Sequence, residues 1–191
     1  MGASEATHGV PQRDPATRRL LFIGVLGAAV ALTLGIYGSA HTPASDLSIS
    51  LGFTNTITMK VWLATIAVAF AGFQLLSALW MYGRLPLGAV PDGLGSAHRI
   101  SGRLAFLVSL PVAYHCLYQL GFQHASLRVL AHSILGCAFY GAFVSKVLIV
   151  RSRNLPGKAL PIVGGLTFAL LVGVWLLSGL WYIDNSGFPS P

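Results

Sequence analysis

Acid is almost missing from this sequence: five Asp and Glu occur in 191 residues, and charged residues of either sign make up 9%. Soluble domains carry roughly 25%, so a soluble globular fold is excluded first. No apolar run contains an acidic pair, and there is no His-Glu-x-x-His, no phosphate-cradling Gly-rich loop and no nucleophile elbow. Hydrolysis and phosphoryl transfer are thereby left without candidate groups. Cysteine is scarce as well. Cys116 and Cys137 both lie inside apolar runs, with no Cys-x-x-Cys spacing, so a disulfide framework of the secreted type is not expected and both read as small buried hydrophobes.

What the sequence has in quantity is apolar length. Hydrophobic residues make up 54% of it, and five runs reach the roughly 20 residues needed to cross a hydrocarbon layer. The pattern predicts an all-α integral membrane protein, a five-helix transmembrane bundle over residues 19–185 with spans near 20–40, 61–82, 99–122, 129–150 and 162–183. At 1.5 Å per residue, the run Leu20 to Ala40 alone gives a helix of about 31 Å, read as a retained span rather than a cleaved leader. Residues 1–18 read as a mobile cytoplasmic tail containing His8, residues 83–97 as a loop too rich in Gly and Pro for a stable element, and 186–191 as a short outer tail. No extramembrane segment is long enough to bury a core of its own.

Threading five spans sorts the cations. One side receives Arg13, Arg18, Arg19, Arg84, Arg99, Arg103, Lys146, Arg151, Arg153 and Lys158, and the other only Lys60 and Arg128. This asymmetry places the N-terminus in the cytoplasm and the C-terminus outside, in a multi-pass protein of the cell membrane. The net charge of +7 is then a topology signal. The lipid bilayer is the expected partner, and nucleic acid is not.

Three of the six histidines fall in or beside the spans: His98, His115 and His132. Counted from the outer ends of their runs, His115 and His132 lie at a similar depth, roughly 5–10 Å below the surface. A tight turn around Gln123 to Leu127 makes the third and fourth helices antiparallel neighbours, with both imidazoles able to face a shared space. That suits the two axial ligands of a non-covalent haem b, iron included. His132 is followed at i+4 by Gly136, and His98 by Gly102, leaving room for a flat macrocycle along the helix face. Pro111 can re-aim the face that carries His115, and Arg128 and Lys60 are candidate propionate partners. Structural hydrogen bonding, or a non-haem metal, accounts for the same pair of histidines. His98, among Arg99 and Arg103 at the cytoplasmic interface, reads as an ordinary interfacial residue. His41 and His124 sit at the outer interface, where either could replace one member of the pair.

The stretch His98-Arg99-Ile100-Ser101-Gly102-Arg103, with Tyr114-His115-Cys116-Leu117-Tyr118 and Ala131-His132-Ser133-Ile134-Leu135-Gly136, resembles two groups of membrane b-type cytochromes, the ascorbate-reducible group and the ferric-reductase-like transmembrane group. The His-Cys-Leu-Tyr stretch is also similar to small bacterial membrane proteins. The resemblance covers residues 58–185 and implies a helical bundle that holds haem b and moves single electrons. Those groups carry four ligand histidines for two haems, whereas one pair can be placed here; a second haem would draw on His98 or His41. The expectation is therefore an electron-transfer subunit with one haem near the outer face, working between a quinol or membrane reductase and an outer iron–sulfur or c-type cytochrome partner. A haem-free accessory subunit of a respiratory complex is the alternative.

Overall fold

The computed structural model describes residues 14–44 and 48–191; the first 13 residues of the expected tail, with His8 and Arg13, lie outside them. Five helices, each long and apolar enough to cross a membrane, account for the described chain, and no strand occurs among the described residues. They are α1 (Pro15–Ala40), α2 (Thr56–Met81), α3 (Leu94–Gln119), α4 (Leu127–Arg151) and α5 (Ala159–Ser186). Capping chemistry, not the onset of hydropathy, sets where several of them start. Pro15 opens α1, so residues 15–18 are helical rather than tail. The Asn55 side chain accepts from the Thr58 amide at 2.9 Å and starts α2 five residues before the apolar run. Gly93, at φ 86°, starts α3 at Leu94, so the last residues of the supposed loop are helical. Ser126 caps α4 through the Val129 amide at 3.3 Å.

Two helices each contain one wide π turn, His115–Gln119 in α3 and Leu176–Leu180 in α5. The first follows Pro111, which cannot donate to the helix ladder.

Around the bundle the packing runs α1, α4, α5, α2, α3. Helices α1 and α4 approach closely, because Gly27 and Gly141 face each other, and the Ser145 hydroxyl donates to the Ile23 carbonyl at 3.3 Å. Helices α2 and α5 are linked by Trp175 Nε1, which donates to Thr65 Oγ1 at 3.0 Å. Helices α3 and α4 do not pack backbone to backbone, although the connection between them is short. They meet through large side chains: Phe106 lies flat on Phe143 at 4.3 Å, and the Tyr140 hydroxyl meets Ser109 Oγ at 3.0 Å.

At one end of the bundle lie the start of α1 and the loops 82–93 and 152–158, joined where Arg19 Nη1 donates to the Arg153 carbonyl at 3.1 Å. At the opposite end Trp62 Nε1 donates to the Pro189 carbonyl at 3.1 Å and packs on the edge of Phe188, so the short C-terminal tail is pinned to α2. The exterior is apolar: Phe22, Leu32, Ile36 and Ile162 are 64%, 65%, 66% and 68% exposed, a surface suited to hydrocarbon rather than water.

A Cβ added at Gly27 meets Ser145 Oγ and, at 2.7 Å, the Gly141 carbonyl oxygen, whereas one added at Gly24 meets nothing within 4 Å. Gly27→Val is therefore expected to lower resistance to SDS unfolding by about 1–3 kcal/mol, with Gly24→Val within about 0.5 kcal/mol of the parent.

Candidate functional site

Among the described residues, chambers lie on either side of the Phe139 level where α3 stands apart from α4, and two of them bear on function. One, of about 180 Å³, lies toward the opposite end and is lined by His132, Gly136, Cys116, Cys137 and Trp175 among others. The other, of about 490 Å³, lies toward the basic end. Phe139 and Leu171 line both, and with Ala67 and Ala71 they form the buried layer that divides them. Small-molecule pockets usually measure about 300–1,000 Å³. Only the basic-end chamber reaches that range.

The expected two-imidazole grip is not what the structure places at the opposite end. His115 is 1% exposed and is absent from the walls of the smaller chamber. Its Nε2 lies 2.7 Å from the Ile49 carbonyl, to which it donates, and its Nδ1 meets the Gln119 amide. An imidazole flanked by two oxygens would have to be charged. A half-turn of the Gln119 amide keeps the ring neutral and gives a partner to a Gln119 nitrogen otherwise buried without one. Either way both ring nitrogens are engaged by protein, and the histidine ties the loop before α2 to the π turn of α3. His115 opens that turn, and its carbonyl accepts the wide bond from the Leu120 amide at 3.1 Å.

His132 is half-buried, and its Nδ1 donates to the Val174 carbonyl at 3.3 Å. Gly136, one turn on, faces open space in the same chamber. The chamber thus offers one imidazole beside a glycine shelf in a small volume, and the residues present do not fit a haem held by two histidines. Arg128 is engaged elsewhere: its Nη1 donates to the Leu177 carbonyl at 2.6 Å, and its guanidinium lies 3.8 Å over the Trp181 ring. It thereby serves the carbonyl displaced by the second π turn. Lys60 is half-buried near the start of α2 and lines neither chamber. His41 is stacked between Tyr37 and Tyr118 at 5.0 and 4.7 Å, and His124 is exposed. Among the described residues no group of three or more His, Cys, Asp or Glu is arranged to hold a metal ion.

The basic-end chamber holds the polar chemistry that the sequence reading passed over. His98 lines it, together with Gln74, Arg99 and Lys146 and the aromatic rings of Phe106, Phe139, Phe143 and Phe168. The Gln74 amide nitrogen donates to the His98 carbonyl and, at 3.0 Å, to Ser101 Oγ, while its oxygen accepts from Lys146 Nζ at 3.3 Å. Gly102 admits this amide: a Cβ there would lie 2.9 Å from Gln74 Oε1, so its missing side chain serves Gln74 and not a macrocycle. No Asp or Glu lines the chamber, and Lys146 is half-buried within α4. The available signal was a Gln and a Lys inside otherwise apolar runs, where polar groups need a partner.

A family described as being of unknown function (DUF6529) has a profile that matches residues 20–190. No curated protein and no solved structure matches the chain.

Replacing His115 by Leu strands the Ile49 carbonyl and the Gln119 amide and is expected to cost about 1–3 kcal/mol in detergent unfolding. The reduced-minus-oxidised visible spectrum of the purified parent is expected to lack bis-imidazole haem bands. A pigment abolished by His115→Ala and by His132→Ala alike would overturn this assignment.

Proposed function

We propose that this chain, which belongs to the DUF6529 family, is a multi-pass protein of the cell membrane that holds a lipid-soluble amphiphile in its basic-end chamber. The observation that carries the reading is the chamber itself: about 490 Å³ of space, a stacked aromatic wall, and a half-buried ammonium with no carboxylate beside it. An apolar body packs against Phe106, Phe143 and Phe168, and the head group takes hydrogen bonds from Lys146. A charged donor shielded from water is worth more to a ligand than one on the surface. Basic residues gathered at this end orient it toward the cytoplasm, with the C-terminus outside, so the chamber opens within the inner half of the bilayer.

Of the roles expected from the cytochrome resemblance, this reading keeps the haem-free membrane subunit. The engaged nitrogens of His115 weigh against a haem clamped by that residue and His132. The chamber gives such a subunit a ligand of its own to hold or present to a larger redox assembly.

Two measurements test the proposal. Reporter fusions at Asn154 and after Pro191 are expected to report inside and outside, respectively; the reverse overturns the orientation. Native mass spectrometry of the full chain released from nanodiscs is expected to show a retained amphiphile adduct. Lys146→Met is expected to reduce its occupancy about ten- to a hundredfold, the equivalent of one charge-assisted hydrogen bond, while Gly136→Leu in the other chamber leaves it intact. An adduct indifferent to Lys146 would overturn the reading.

A further inference from the structure

We infer that the head group recognised in the basic-end chamber is a hydroxylated aromatic ring of the quinol type, whose hydroxyl donates to Nε2 of His98. The inference rests on the amphiphile reading above and goes beyond it by naming the ligand class.

The argument starts with a single proton on Ser77. Its hydroxyl, 2% exposed, donates to the Phe73 carbonyl at 2.6 Å, and the same oxygen lies 2.8 Å from His98 Nδ1. A hydroxyl has one hydrogen to give. Taking that hydrogen on Phe73, the shorter of the two contacts, makes His98 Nδ1 the donor of the second bond, and in the neutral ring that tautomer leaves Nε2 as an acceptor. No group among the described residues is bonded to Nε2, and the His98 ring forms part of the chamber wall.

Of the other polar groups in the wall, Arg99 and Lys146 are donors, the Thr167 hydroxyl gives its hydrogen to the Val163 carbonyl at 2.7 Å, and Tyr82 is exposed. The Gln74 amide is engaged at both ends, on the His98 carbonyl and Ser101 on one side and on Lys146 on the other. Lys146 has three N–H groups, one of them directed to Gln74, which leaves two for a ligand. The chamber therefore calls for a head that accepts from an ammonium and also donates to an imidazole. An ionised phosphate accepts only, and so does an oxidised quinone, and each by itself leaves His98 Nε2 unpaired; a glycerol head group has hydroxyls to donate but not the flat ring that the aromatic wall suits. A quinol does both, because each hydroxyl oxygen accepts while its hydrogen is given away. Phe106 and Phe143, parallel to within 7° at 4.3 Å, provide a wall suited to a flat ring.

The test uses the full chain in nanodiscs under anaerobic conditions, with a short-tailed naphthohydroquinone, its oxidised quinone, and phosphatidylglycerol as a competitor, read by equilibrium dialysis. The reduced ring is expected to bind about three- to tenfold more tightly than the oxidised one, the equivalent of one neutral hydrogen bond. His98→Phe is expected to equalise the two forms, and His98→Gln to restore part of the preference through its amide oxygen. Ser77→Ala, which frees the tautomer without touching the ligand, is expected to narrow the preference, whereas Lys146→Met weakens both forms alike. Equal binding of the two forms by the parent, or a preference that survives His98→Phe, overturns the inference. If neither ring binds while phosphatidylglycerol does so through Lys146, the quinol assignment fails and the amphiphile reading stands. If nothing binds, both fall.

Discussion

Two pairs of side chains between α3 and α4, Phe106 on Phe143 and Tyr140 on Ser109, hold those helices at arm's length. Had small residues faced each other there, as Gly27 and Gly141 do between α1 and α4, the backbones would close up and no interior space would remain. The aromatic stand-off sets the width of the bundle, and the chambers occupy what it leaves open. The stand-off is what lets His98 and Lys146 line the basic-end chamber, whereas His115, Arg128 and His132 reach backbone carbonyls of neighbouring segments.

The wide turns have a comparable role along the helix axes. In each, displaced backbone or loop groups are taken up by a side chain: His115 holds the Ile49 carbonyl beside the first turn, and Arg128 holds the Leu177 carbonyl of the second. In a low-dielectric setting such groups need partners, and these two residues supply them from an adjoining segment or helix. Both therefore read as structural polar residues whose chemistry is already committed.

The number and order of helices were legible in the sequence because bilayer-length apolar runs leave few alternatives, and the charge asymmetry follows from the same threading. Helix starts were displaced by up to five residues, since Asn55, Gly93 and Ser126 act through local hydrogen bonds and backbone angles that hydropathy does not register. His132 and Gly136 do share a chamber wall, as their spacing suggests. The engagement of His115 was not legible: its partner, the Ile49 carbonyl, belongs to the loop before α2, 66 residues away in sequence, and only the assembled bundle brings the two together. His98 was undervalued for a different reason. Its partners Gln74 and Ser77 come from α2, and the α2–α3 pairing that brings them together is a property of the assembled bundle.

Phe139 and Leu171, with Ala67 and Ala71, stand between the two chambers as a layer one side chain thick. Along the axis of the bundle, this septum is what keeps the two chambers from joining into one continuous passage. The aliphatic and aromatic character of those four positions closes each chamber off from the other as well as packing the helices together.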